Sequence, residues 1–280
     1  EKALKDMKAL VDRLAGTADQ SKFSLRDQAL KDLVIFYADV GSVEDAKNYF
    51  IRVQGKEKAM ENIKLLADFY RTKARDDAAI KAYNIIIPES ENSPDLPHMY
   101  LGLFDSQARI SKGDAPIKTL LTAVDKFHPG SDWAKEVEDK DPQAAKSGIE
   151  AVASEAEKVA FFHHHAGQKS ASAKHYEYAL RLYDSILKNY PNHPNRKKIA
   201  FFQGEAFFIQ AQWAKASDSY MIAAKTPPKD KLADESVYNA LLALDKLTAK
   251  SEKLERHSKE EQAKVDTTPQ DIPASEKKFL

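Results

Sequence analysis

Three consecutive histidines, His163-His164-His165, have the most obvious chemical potential in this 280-residue sequence, and metal ligation is the chemistry they would perform. Their spacing works against it. Successive helical residues point about 100° apart, so three neighbours cannot face one ion; a helical zinc pair needs side chains at i and i+4. No histidine stands at 159–161 or 167–169, and Glu157 is the sole acidic candidate at suitable spacing. His163 therefore reads as a packing residue and His164 and His165 as surface residues, with no metal expected. Nucleophile and phosphate signatures are missing too: the sequence has no Gly-x-Ser-x-Gly, no phosphate loop and no Gly-x-Gly-x-x-Gly. Carboxylates are plentiful but alternate with lysines, as in Lys56-Glu57-Lys58 and Lys229-Asp230-Lys231, the pattern of solvated helix faces. No catalytic residue and no cofactor is expected.

Aromatic side chains offer a different chemistry, that of binding. Phe201-Phe202 and Phe207-Phe208 are more rings than one helix needs for packing on a single neighbour, so two of the four should face away from it. Lys plus Arg equals Asp plus Glu at 43 each, which argues against a general nucleic-acid or anionic-membrane binder. The lack of cysteine excludes disulfides and thiolate chemistry and is compatible with an oxidising compartment such as the periplasm. No apolar run approaches the ~18–20 residues of a membrane span. The sequence opens at Glu1 rather than Met and is read as a processed or excised form, from which a leader or lipid anchor would be missing.

The elements that must position these residues are helices. Apolar residues recur at helical spacing almost throughout, and no Asn-Gly or Asp-Gly hairpin signal occurs. The most regular stretch is 200–228, where Gly204, Phe207, Trp213, Ala216, Tyr220, Ala223 and Pro228 mark a helical hairpin. Gly204 and Ala216 let two antiparallel helices approach, the rings fill the space beside them, and Pro228 ends the second helix. A helix over 3–14 stops at Gly16. A hairpin over 24–53 turns at Gly41 and carries Ala46 and Phe50. Its next copy carries Ala79 and Tyr83, and a third runs over 100–127 through Gly113-Asp114, with Lys118 and Thr122 where Ala and an aromatic are expected. Residues 128–142 break the period with a short piece at Trp133-Ala134 and an Asp141-Pro142 cap for a long helix to Gly167. In the fourth hairpin Gly167, Tyr176, Ala179, Tyr183 and Pro191 repeat the slots of the 200–228 hairpin at a step of 37. A further first helix spans 234–247, a charged partner follows at 250–264, and 266–273 reads as an extended or disordered exit.

The hairpins at 161–191 and 200–228 resemble the tetratricopeptide (TPR) family. More narrowly, the runs Leu33 to Phe50, Tyr190-Pro-Asn-His-Pro194 and Tyr238 to Lys246 are similar to bacterial envelope TPR proteins, gliding-motility ones in particular. The resemblance implies an all-α, TPR-like α-solenoid of antiparallel helical hairpins in a right-handed superhelix, with about five to six repeats and an irregular insertion. The expected parts are an N-terminal capping helix (1–22), TPR-like repeats (23–128), an irregular insertion or hinge (129–149), further TPR repeats (150–250) and a charged helical or disordered tail (251–280). Carried onto this sequence, the family's inner-surface positions are Phe161, His164, Lys198, Phe201, Glu205, Phe208, Ile209, Tyr238, Leu242 and Asp245. They are expected to bind a protein partner, as a peptide or helix in a groove, and the competing expectation is that Phe201 and Phe208 pack on a neighbouring repeat. Asn239 and Lys198 are too few for a carboxylate-clamp groove. The function implied is a non-enzymatic scaffold of a bacterial envelope or gliding-motility-type complex, periplasmic or associated with the outer membrane. The alternative is a cytoplasmic adaptor for a motility or polarity regulator, or an accessory domain of an enzyme.

Overall fold

A computed structural model describes residues 1–15, 20–110 and 113–258, with side chains at 20–23 and 250–258 left aside. Those residues are all-helical, without a strand among them. They form two compact units divided between Glu155 and Ala156.

The first unit contains α1 (Lys2–Arg13), α2 (Gln20–Val40), α3 (Val43–Gln54), α4 (Lys56–Thr72) and α5 (Asp76–Ile86). A 3₁₀ turn (Ile87–Glu89) then leads to α6 (Leu96–Ile110), α7 (Ala115–Lys126), α8 (Asp132–Glu138) and the start of α9 (Pro142–Ser170). Consecutive helices from α3 to α7 pack on one another, while α2, α4 and α6 also touch in series. Local chemistry sets the starts. The Ser42 hydroxyl accepts from the Asp45 N–H at 3.0 Å, and Ser131 caps α8 through the Ala134 N–H. Asp141 accepts from the Ala144 N–H at 3.0 Å, so the expected Asp141-Pro142 cap does open α9.

Leu33, Tyr37, Phe50, Ile63, Leu66, Tyr83 and Leu120 are fully buried, and burial of such apolar side chains is worth about 1.5–3 kcal/mol each. Side chains then tie one hairpin to the next at nearly constant spacing. The Tyr70 hydroxyl donates to the Tyr37 carbonyl 33 residues earlier, Arg109 grips buried Asp76 across the same interval, and Arg71 reaches Asp105 across 34. A Cβ on Gly102 would lie 2.3 Å from the Tyr83 hydroxyl, so the α5–α6 approach depends on that glycine.

In α7 the inward face is Ile117, Leu120, Ala123, Val124 and Phe127, with Lys118 and Thr122 exposed. The third hairpin therefore keeps a small–aromatic pair, displaced from the anticipated positions. Within the stretch expected to break the period, Trp133 on α8 is buried edge-on against Phe127 at 5.0 Å and donates to the Ser93 carbonyl at 3.0 Å. The division between units falls inside α9, beyond the anticipated 129–149 insertion.

The second unit holds the rest of α9, then α10 (Ala173–Asn189), α11 (Arg196–Ile209), α12 (Trp213–Lys225) and α13 (Lys231–Ser258). Gly204 meets Tyr220 as its spacing predicts: an added Cβ would lie 2.6 Å from the ring. Trp213, half-buried, opens α12. Buried Lys197 donates to the Pro228 carbonyl and to Asp230 at 2.7 Å, fixing the α12–α13 connection on α11. Where a separate partner helix was expected from residue 250, α13 runs on unbroken, because no Gly or Pro interrupts 247–258. Gly16 and the 266–273 segment lie outside the described residues.

Three interhelical turns share one device. Ala74, Ala171 and Ala211 have φ of 53°, 51° and 56°, between α4 and α5, α9 and α10, and α11 and α12. Arg75 N–H to Tyr70 carbonyl and Gln212 N–H to Phe207 carbonyl, both 2.9 Å, close the helix ends around two of them. Ala171 and Ala211 lie 40 residues apart, so the α9–α10 hairpin is three residues out of step with the 37-residue register. Matched turn to turn, His164 occupies the slot of Gly204, and Gly167 lies one helical turn later, where it takes the ring of Tyr176. The small–large complementarity has moved along the helix.

Candidate functional site

In the second unit, aromatic residues of two first helices, α9 and α11, meet on one face. From α9 come Phe161 and His164; from α11 come Lys198, Phe202 and Glu205, at the i, i+4, i+7 spacing of one helix face. Phe161 and Phe202 meet edge to face at 5.3 Å, and His164 meets Phe202 likewise at 5.3 Å. The exposed Lys198 ammonium stands 5.0 Å above the Phe161 ring and 5.9 Å above Phe202. Both rings are half-buried, so they present apolar surface beside a cation. Lys198 has no carboxylate partner among the described residues.

Beneath this face His164 is 3% exposed, boxed by Tyr176, Tyr183 and Phe202. Its Nε2 lies 3.9 Å from a Glu205 oxygen, too far for a hydrogen bond, and neither ring nitrogen has a partner among the described residues. The Tyr183 hydroxyl is equally unpartnered. Burial, with His165 adding to it, lowers the His164 pKa to about 4 and keeps the ring neutral. Burial raises the Glu205 carboxyl, and Glu235 on α13 raises it further. Burial also pushes Tyr183 well above the usual phenol range, with Glu205 and Glu157 contributing.

The anticipated residues divide as follows. Phe161, His164, Lys198 and Glu205 come together, although His164 lies under the face rather than on it. Phe201 does not belong to it: at 6% exposure it packs on Tyr220, 5.6 Å away, inside the α11–α12 hairpin. Phe208 is half-buried, and exposed Ile209 lines a cleft of about 500 Å³ with Gly167, Gln168 and Tyr176. Tyr238 stands exposed on α13, as does Asp245, with Leu242 half-buried between them. Phe202 and Glu235 were missed. Phe202 was legible, since it is the residue four after Lys198 and three before Glu205, whereas Phe201 lies on the adjoining face.

The histidine run resolves into three environments. His165 is exposed and His164 buried, correcting its reading as a surface residue; half-buried His163 puts Nδ1 2.8 Å from His175 Nδ1 on α10, a hydrogen bond across the turn. No group of three or more potential metal-binding His, Asp or Glu side chains occurs among the described residues. Nor is any described helix long and apolar enough to cross a membrane. Compared with known proteins, the chain matches no family model and no curated protein.

Proposed function

We propose that the chain is a non-enzymatic binding scaffold whose units are built as TPR-like α-solenoids, and that it holds a peptide or helix of a protein partner on the α9–α11 face. The observation that carries this reading is the half-buried Phe161–Phe202 pair under the uncompensated Lys198 ammonium. Neighbouring aromatics beside a cation are the composition of interface hot spots. The evenly spaced ties between successive hairpins and the shared left-handed turns support the solenoid reading. On sequence resemblance, we place the scaffold in a bacterial envelope or gliding-motility-type complex.

The test is capture of a partner from native cells by the full chain. Phe202→Ala with Lys198→Glu should cut recovery at least about tenfold and leave helicity unchanged. Recovery indifferent to both changes would move the site off this face.

A further inference from the structure

The first unit carries a cleft unlike the α9–α11 face. It lies between α4, the loop after the 3₁₀ turn and the start of α6, and encloses about 1080 Å³. Its floor is apolar and adaptable: Met60 and Met99 are almost covered, and Leu65 is 52% exposed. Five carboxylates and two ammonium groups line it. Both ammonium groups are already engaged, Lys56 with Glu89 at 2.5 Å and Lys64 with Asp95. Glu57, Glu61 and Glu91 have no cation partner among the described residues. Glu57 and Glu61 stand four apart on α4, a like-charge spacing that costs a helix a few tenths of a kcal/mol. A second cleft, of about 680 Å³, shares Glu91 and Asn92 and adds Asp125, Lys126, Asp132 and Glu136, the last two paired with Lys135 and Lys140.

We propose that this cleft docks a cationic amphipathic segment of a protein partner. Such a segment sets Lys or Arg side chains against Glu57, Glu61 and Glu91 and seats an aliphatic side chain on Leu65, beside the edges that Met60 and Met99 leave uncovered. The attraction is local, because the chain as a whole carries no net charge. Acid on the rim selects and steers the partner, while exposed Leu65 supplies the apolar contact area. The α9–α11 face presents a free ammonium instead, so the two surfaces suit segments of different chemistry.

The experiment is fluorescence anisotropy on the full chain with three labelled probes: an amphipathic lysine–leucine peptide, its glutamate–leucine counterpart, and polylysine of equal length. The lysine–leucine peptide should bind in the micromolar range, and the other two should bind at least about tenfold more weakly. Glu57→Gln with Glu61→Gln, and separately Leu65→Ser, should each weaken it several-fold with unchanged helicity. Phe202→Ala should leave it unaffected, which separates this site from the α9–α11 face. Equal binding of the glutamate peptide, equal binding of polylysine, or indifference to the α4 substitutions would overturn the proposal.

Discussion

His164 shows how one substitution in a repeat reshapes its surroundings. In the slot where the next hairpin has Gly204, an imidazole must be buried, and the neighbouring hairpin partner gives way by placing Tyr176 over Gly167. The ring is neutral because burial disfavours its charge, as it does for His163, also lowered to about 4. Both folded values lie below the unfolded value of 6.5, so the unfolded chain takes up protons first. Their stabilisation is complete above about 6.5 and drains as pH falls toward about 4. Glu205 and Asp184, raised by burial, act in the opposite sense, losing stabilisation as pH rises through the carboxyl range above 4.5 and 3.8 respectively. The melting temperature should therefore fall between pH 7 and 5, and His164→Phe should flatten that slope while matching or exceeding the parent's stability at pH 7. An orphaned polar group replaced by an apolar ring of similar shape is neutral or stabilising. Melts whose pH slope is identical in the two proteins would contradict the assignment.

At the level of elements, the helices follow from capping and period, and most were legible. Ser42, Ser131 and Asp141 each stand where an N-terminus needs an acceptor, and each makes the bond. What went astray was rotation. Phe202, four after Lys198 and three before Glu205, shares their face and meets Phe161, whereas Phe201, one residue earlier, turns to Tyr220. The α9–α10 register was likewise misread, because Gly167 and Ala179 imitate the small pair of a standard hairpin while the turn at Ala171 sets a different phase. The alanines at positive φ are themselves testable. Left-handed backbone costs an L-residue about 1–2 kcal/mol, a penalty glycine escapes, though glycine loses more freedom on folding. Ala211→Gly should thus stabilise by ~1 kcal/mol and raise the melting temperature by a few degrees. A lower melting temperature would mean the turn is not left-handed in solution.

Among the described residues, the most extensive helix–helix contacts run between helices adjacent in sequence or one removed, so damage should stay near its source. Gly204→Ala would drive a Cβ to 2.6 Å from the buried Tyr220 ring and should destabilise by about 1–3 kcal/mol. Hydrogen exchange should then quicken in α11, α12 and α13 while α3 to α6 keep their protection. Uniform loss along the chain would show a single cooperative block. The all-helical class was readable from spacing alone, since α2 to α7 lie near the helices anticipated between 24 and 127. The division at Glu155/Ala156 was not, for it lies within a helix that no proline or glycine interrupts at that point.

The placement of the two indoles gives each unit its own optical signature. Trp133 is sealed against Phe127 in the first unit, and Trp213 is partly open to solvent in the second. Their emission should differ in colour and in susceptibility to quenching by iodide, so the units can be watched independently during unfolding without attaching a dye.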